Sequence, residues 1–118
     1  MKKVLIVDDS KVSRKVNIKA LIEIGYETIG EAVDGLEGIE MLNTFKPDLI
    51  ISDIEMPNLD GISMLKKIRE NGDDIPVIMV SSIVNKHMLQ EVFKLKATVI
   101  KKPLKTTMLV NAIKLIER

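Results

Sequence analysis

Apolar residues recur along the chain with two alternating periods. Short β-branched runs fall at Val4-Leu5-Ile6-Val7, Asp48-Leu49-Ile50-Ile51-Ser52, Pro76-Val77-Ile78-Met79-Val80 and Thr98-Val99-Ile100. Runs that are apolar on both faces suit strands buried in a parallel sheet. Glu27 to Val33 is a weaker run, interrupted by Gly30 and Glu31, and reads as an edge strand. Between the runs the period lengthens to that of a helix. Ser10 caps a first helix carrying Val12, Val16, Leu21 and Ile24, which Gly25 stops. Asp34 caps a second, with Glu37 in a capping-box position, then Ile39, Leu42 and Phe45 before Pro47. A third runs from Gly61 to Arg69 and ends at Asn71-Gly72, and a fourth runs from Asn85 or Lys86 to Leu95. A fifth opens near Thr106 and carries Leu109, Ile113 and Ile116. Five strands alternating with five helices predict an α/β fold with right-handed crossovers, its parallel five-stranded sheet covered on both faces and so doubly wound.

The length of 118 residues fits one domain, and 46% hydrophobic with 30% charged residues is globular composition. The chain has no Cys and a single His, His87. Disulfide, thiol and multi-His metal chemistry are excluded, and a Ser-His-Asp triad is disfavoured. His87 reads as a surface helix residue rather than a phosphorelay His. No apolar run reaches the length of a membrane span, and the short run behind Met1-Lys2-Lys3 meets Asp8-Asp9, unlike a signal peptide. The expectation is a cytoplasmic protein without membrane insertion. Arg and aromatic residues number three each and the net charge is +1, which argues against direct nucleic-acid binding.

In a doubly wound sheet, ligands sit beyond the carboxyl ends of the strands. The first strand ends in Asp8-Asp9, the third in Asp53, the fourth in Ser81-Ser82 and the fifth in Lys101-Lys102-Pro103. A parallel sheet brings these ends to one crevice. Three carboxylates that close repel one another and call for a cation. Oxygen ligands without His or Cys suit Mg²⁺, which prefers to share its shell with phosphate oxygens. Lys adds a point charge for a phosphate, and one carboxylate can act as the nucleophile that forms an aspartyl-phosphate. Any one of these residues alone is an ordinary turn or surface residue. The case rests on their coincidence at four strand ends.

These residues resemble the receiver domain of two-component response regulators. The resemblance covers the whole chain, from Val4-Leu5-Ile6-Val7-Asp8-Asp9-Ser10, through Asp53-Ile54-Glu55-Met56-Pro57-Asn58-Leu59-Asp60-Gly61, to Lys101-Lys102-Pro103. It implies one receiver domain over 1–118, of the CheY-like single-domain kind, with a flavodoxin-like (βα)5 fold and strand order 2-1-3-4-5. It also implies a switch activated by phosphorylation, with chemotaxis as one candidate process, that catalyses only its own phosphorylation and dephosphorylation. Asp53 would accept the phosphoryl group from a histidine kinase's phosphohistidine or a phosphotransfer protein. Asp9, Asp53 and the backbone carbonyl of Glu55 would bind Mg²⁺ directly, and Asp8 largely through a water. Ser81 and Lys102 would contact the phosphoryl group. Ser82 stands where the family has a small residue that leaves the acceptor accessible, and Pro57 and Gly61 would shape the neighbouring loop. Glu55 and Ile83 fill positions that tune phosphoryl lifetime. The output partner would meet the face of the fourth helix, fifth strand and fifth helix. The chain would be a monomer or a weak dimer linked to phosphorylation.

Two departures stand out. Val99 occupies the position of the family's aromatic switch residue, three before Lys102. The run usually written Gly-Ala-x-x-Tyr reads Leu95-Lys96-Ala97-Thr98-Val99, one residue short, with the Gly as the expected omission. Charge is also divided unevenly. Residues 86–118 hold eight basic and two acidic residues, +6, and the remainder holds ten basic and fifteen acidic, −5. Such a segment suits an acidic partner surface, although a solvated Lys-rich face explains it almost as well. Other readings are weaker. A phosphohydrolase of the haloacid-dehalogenase type would want Asp rather than Glu55 two residues after the nucleophile, and room for a cap. A flavodoxin-like cofactor binder would want a phosphate-cradling loop after the first strand, where Asp8-Asp9 stands. A receiver cut from a longer regulator fits the same residues as a free one.

Overall fold

The computed structural model describes residues 2–116. Ten elements alternate: β1 (Lys3–Val7), α1 (Lys11–Glu23), β2 (Glu27–Ala32), α2 (Gly35–Phe45), β3 (Leu49–Asp53), α3 (Gly61–Glu70), β4 (Val77–Ser81), α4 (Lys86–Lys94), β5 (Thr98–Lys101) and α5 (Thr106–Ile116). All pairings are parallel, in the order β2-β1-β3-β4-β5. The doubly wound sheet and its strand order are as expected, with the weakest strand, β2, at one edge.

Strand alternation divides the core between the two faces of the sheet. Leu5, Val7, Ile50, Val77 and Met79 point to one face and pack with Leu42, Met64, Leu65, Ile68 and Val92 from α2, α3 and α4. Val4, Ile6, Ile51, Ile78 and Val80 point to the other and pack with Ala20, Leu21, Leu109 and Ile113 from α1 and α5. No helix among the described residues is long and apolar enough to cross a membrane.

Side-chain caps set where the helices start. The Ser10 hydroxyl accepts from the Ser13 N–H, the Asp34 carboxylate from Glu37, the Asp60 carboxylate from Ser63 and the Asn85 amide oxygen from Met88. The Glu37 carboxylate reaches back to the Val33 N–H at 3.2 Å, one residue before the cap. The phase of α1 differs from the apolar pattern. Val12 and Val16 are exposed, while Asn17, Ala20 and Leu21 are buried. The cap at Ser10 fixes the rotation of the helix, and that rotation carries Asn17 inward with Ala20 and Leu21. Phe45, on the expected apolar stripe of α2, is likewise exposed, as is Phe93 on α4.

The turn after α4 corrects the expected missing Gly. Lys96 itself takes the left-handed conformation, with φ of 59°. The Ala97 N–H donates to the Val92 carbonyl at 3.2 Å, and the Lys96 N–H to Phe93 at 3.0 Å. This is a regular helix stop with Lys where Gly would be unstrained. The left-handed turn position is thus filled, by Lys96. Arg69 secures the turn: its guanidinium donates to the carbonyls of Leu95 (2.7 Å), Ile75 (2.8 Å) and Asp73 (2.9 Å). The Lys96–Asp74 pair is long, at 3.9 Å, and exposed, so it contributes little. Lys96→Gly is expected to stabilise the fold by about 1 kcal/mol by relieving the left-handed strain. Urea denaturation of both proteins checks this, and a lower midpoint for the variant contradicts it.

Candidate functional site

The parallel sheet places the ends of β1, β3, β4 and β5 on one rim. Carboxylate oxygens of Asp8, Asp9 and Asp53 lie within 4.8 Å of one another there. Asp8 is fully buried, Asp53 nearly so, and Asp9 faces solvent. The Asp8 Oδ1 accepts from the Ser10 N–H at 2.8 Å. Asp53 Oδ1 accepts from the Ile54 N–H at 2.8 Å, which leaves Oδ2 toward Lys102. The Lys102 ammonium lies 3.2 Å from Asp53 Oδ2 and 3.4 Å from Asp8 Oδ2. The backbone supports it, since the Lys102 N–H donates to the Ser81 carbonyl at 2.8 Å, and the Lys102-Pro103 peptide is cis.

Electrostatics follow from this crowding. Burial raises the Asp53 carboxyl above its ordinary range, and Asp8 raises it further; Lys102 offsets only part of this. Burial disfavours the Lys102 charge, but the Asp53 and Asp8 carboxylates outweigh it and hold the ammonium above its ordinary value. One ammonium thus serves two buried carboxylates with a third acid beside them. A site with this surplus of negative charge and only oxygen donors fits a hard divalent cation.

The loop after β3 is held against the site. The Gly61 N–H donates to the Ile54 carbonyl at 2.7 Å, and a Cβ on Gly61 would lie 2.1 Å from the Asp53 carbonyl oxygen. Only Gly permits that approach. Farther along the loop, the Asn58 amide donates to Asp34 at 2.7 Å, and the Gly35 N–H donates to the Leu59 carbonyl at 2.9 Å. The Asp34 carboxyl is held below its ordinary value by the Glu37 N–H and then the Asn58 amide. Glu55 is exposed at the start of this loop.

Ser81 is at the rim but turned aside. Its hydroxyl donates to the Ile83 carbonyl at 2.8 Å and accepts from the Ile83 N–H at 3.2 Å. The hydroxyl must leave the Ile83 carbonyl before it can donate elsewhere. Ser82 and Ile83 are exposed beyond it, and Val99 is partly buried against the core. His87 pairs with Glu91 on the surface of α4, at 3.1 Å, away from the carboxylates.

Two residues at the site escape sequence reasoning, Ser13 and Arg14. Ser13 Oγ accepts from the Lys102 ammonium at 3.2 Å. Arg14 donates through Nη1 to the Asp8 carbonyl at 2.8 Å and through Nε to Glu31 at 3.0 Å, tying α1 and β2 to the end of β1. The Ser10 cap is the signal that marks them, because it turns the first helical turn toward the strand ends.

Comparison with known proteins agrees with this geometry. Residues 4–114 match the response regulator receiver domain, and the chain belongs to that family of phosphorylation-activated regulators. It is 34% identical over 113 residues to the chemotaxis protein CheY of Thermotoga maritima, covering 95% of this chain and 94% of that one. It is 49% identical over 84 residues to a protein-glutamate methylesterase/protein-glutamine glutaminase of Lawsonia intracellularis, covering 70% of this chain and 23% of that enzyme. The chain thus spans about a quarter of the length of several curated relatives. In structure it is similar to a chain of the CheX-CheY-BeF3-Mg²⁺ complex from Borrelia burgdorferi, with a TM-score of 0.90 and 31% identity over 99% of this chain and 90% of that one.

Proposed function

We propose that the chain is a single receiver domain over residues 1–118 that works in the cytoplasm as a switch, with Asp53 as phosphoacceptor. The observation that carries this reading is the buried Asp53 carboxylate, 3.2 Å from the Lys102 ammonium and clustered with Asp8 and Asp9. Asp9, Asp53 and the Glu55 carbonyl would hold Mg²⁺, with Asp8 acting largely through a water. The ion would supply charge neutralisation on the transferring phosphoryl oxygens. Asp53 attacks phosphorus with a carboxylate oxygen, a P–N bond to the donor imidazole breaks, and the imidazole keeps the electron pair and takes up a proton. Lys102 neutralises a second phosphoryl oxygen. Ser81 donates to a third once its hydroxyl leaves the Ile83 carbonyl. That rotation would draw the loop after β4 toward the site and shift the inactive–active equilibrium. Val99 cannot report it through a phenol, so the signal passes through packing alone.

The phosphodonor would be a histidine kinase or phosphotransfer protein. A cavity of about 310 Å³ lined by Val12, Val16, Asn17, Ser82, Lys102 and Pro103 opens beside Lys102 and offers an apolar approach. The output partner would meet α4, β5 and α5. Val99, Lys101, Met108, Ala112 and Leu115 line a groove of about 320 Å³ there, and Lys94, Lys96, Lys105 and Lys114 are exposed on the same segment of the chain. A symmetric dimer through this face would oppose lysine to lysine, so an acidic partner is favoured. Charge reversal at Lys94, Lys96 and Lys105 is expected to weaken output-partner binding at least tenfold at low salt and to flatten its salt dependence. Titration of the output partner at low and high salt checks this, and unchanged affinity with unchanged salt dependence removes the proposed face.

Intact mass tests the central reading. The protein incubated with Mg²⁺ and acetyl phosphate is expected to gain one phosphoryl group, and none after chelation of Mg²⁺. No gain in the presence of Mg²⁺ contradicts it. Turnover of a phosphomonoester would instead support a phosphohydrolase.

A further inference from the structure

We infer that Ser13 is a positioning residue for Lys102, a neutral oxygen that keeps the ammonium at the rim while a cation takes the carboxylates. The inference rests on the reading of the acidic cluster as a Mg²⁺ site. An ammonium has three donors. In this structure the Lys102 ammonium meets three oxygens: Asp53 Oδ2 at 3.2 Å, Ser13 Oγ at 3.2 Å and Asp8 Oδ2 at 3.4 Å. Two of these belong to carboxylates of the cation cluster. Ser13 alone is neutral and lies outside it.

The Ser13 backbone is well fixed. The Ser13 N–H donates to the capping Ser10 hydroxyl at 3.2 Å, and the adjacent Arg14 binds the Asp8 carbonyl at 2.8 Å. The first turn of α1 is therefore capped by Ser10 and tied through Arg14 to the segment that carries Asp8 and Asp9. Lys102 is partly buried, with 21% of its side chain exposed, and it lines with Ser13 the cavity that opens beside it, so a fixed hydroxyl there competes with water for the ammonium.

Lys102 and a divalent cation draw on the same carboxylates, Asp8 and Asp53. When the cation binds, the ammonium loses much of its share of Asp8 and Asp53 and leans more on Ser13. The hydroxyl therefore contributes more to the cation-bound state than to the free one. Without it, the ammonium keeps a greater share of its contact with the carboxylates. Were Ser13 only a first-turn helix residue, its removal would leave cation affinity unchanged.

The test is calorimetric titration of the full chain with Mg²⁺ alone, for wild type, Ser13→Ala and Ser13→Thr, and for Lys102→Met with and without Ser13→Ala. Ser13→Ala is expected to weaken Mg²⁺ binding by about three- to tenfold, the scale of one hydrogen bond. Ser13→Thr keeps the hydroxyl and is expected to restore most of the affinity. In the Lys102→Met background Ser13→Ala is expected to have no further effect. Equal Mg²⁺ affinity in wild type and Ser13→Ala, or an equal loss with and without Lys102, overturns the role of Ser13 and leaves the metal site standing. Absence of Mg²⁺ binding by the wild type overturns both readings.

Discussion

Asp53→Asn is expected to take up no phosphoryl group and yet to melt higher than the wild type at pH 7. Both effects come from one carboxylate. Asp53 is nearly buried, and burial with the adjacent Asp8 outweighs the stabilising contact with Lys102, so its folded pKa lies above the ordinary value. A carboxyl raised on folding binds its proton more tightly in the native state. Stability then falls as pH rises from the unfolded value, about 3.9, through the folded one. Above that window the penalty is constant, and below it the penalty disappears. An amide of the same shape escapes it, so the gain in Tm is roughly a few degrees at pH 7 and vanishes near pH 3. Mg²⁺ acts in the opposite sense. At a hundredfold excess over Kd a bound ion stabilises by about 2.7 kcal/mol, and much of that is lost with the Asp53 charge. Calorimetric melting with and without Mg²⁺ at two pH values, with intact mass after acetyl phosphate, checks the set. A lower Tm for Asp53→Asn at pH 7 contradicts the electrostatic account, and phosphoryl uptake by the variant contradicts the assignment of the acceptor.

Most of what positions this cluster is legible in the residues themselves. The β-branched runs mark β1, β3, β4 and β5, because strands buried on both faces have no polar alternation to hide them. Once the sheet is parallel, Asp8, Asp9, Asp53, Ser81 and Lys102 must share a rim. Ser10, Asp34 and Asn85 mark helix starts through a local hydrogen bond that needs no tertiary context. What depends on rotation is less visible. Val12 and Val16 look like a buried stripe, yet the phase set by Ser10 leaves them exposed and turns Asn17 inward. Ser81 is identified, but the direction of its hydroxyl depends on a single torsion and on the Ile83 carbonyl. Lys96 shows that a turn can keep its geometry without Gly, since packing and the Arg69 contacts outweigh about 1 kcal/mol of backbone strain. Ser13 and Arg14 were hidden because neither is acidic and neither ends a strand.

Gly61→Ala is expected to be the most disruptive single-methyl change next to the site. Gly61 does not owe its identity to a left-handed backbone. It opens α3 directly under the Asp53 peptide, where an added Cβ would sit 2.1 Å from the Asp53 carbonyl oxygen and 3.0 Å from the Ile54 Cα. Both obstacles are backbone, so no side-chain rotation relieves them. Either β3 bends at Asp53 or α3 moves outward, and the second option breaks the 2.7 Å bond from the Gly61 N–H to the Ile54 carbonyl. The cost is on the order of 3 kcal/mol, a fall in Tm of roughly 10 °C. Gly25→Ala is the control. Gly25 has φ of 80° with nothing within 4 Å of the added methyl, so it reports the cost of a left-handed Ala alone, about 1 kcal/mol. The two variants also separate stability from function. Gly25 lies at the far end of α1, so its variant is expected to take up phosphoryl at the wild-type rate wherever it is folded. Gly61→Ala displaces the carboxylate that does the chemistry, so its uptake falls at least tenfold even at temperatures where circular dichroism shows it folded. Wild-type uptake by folded Gly61→Ala would mean that the loop after β3 tolerates displacement and that Asp53 is positioned by β3 alone.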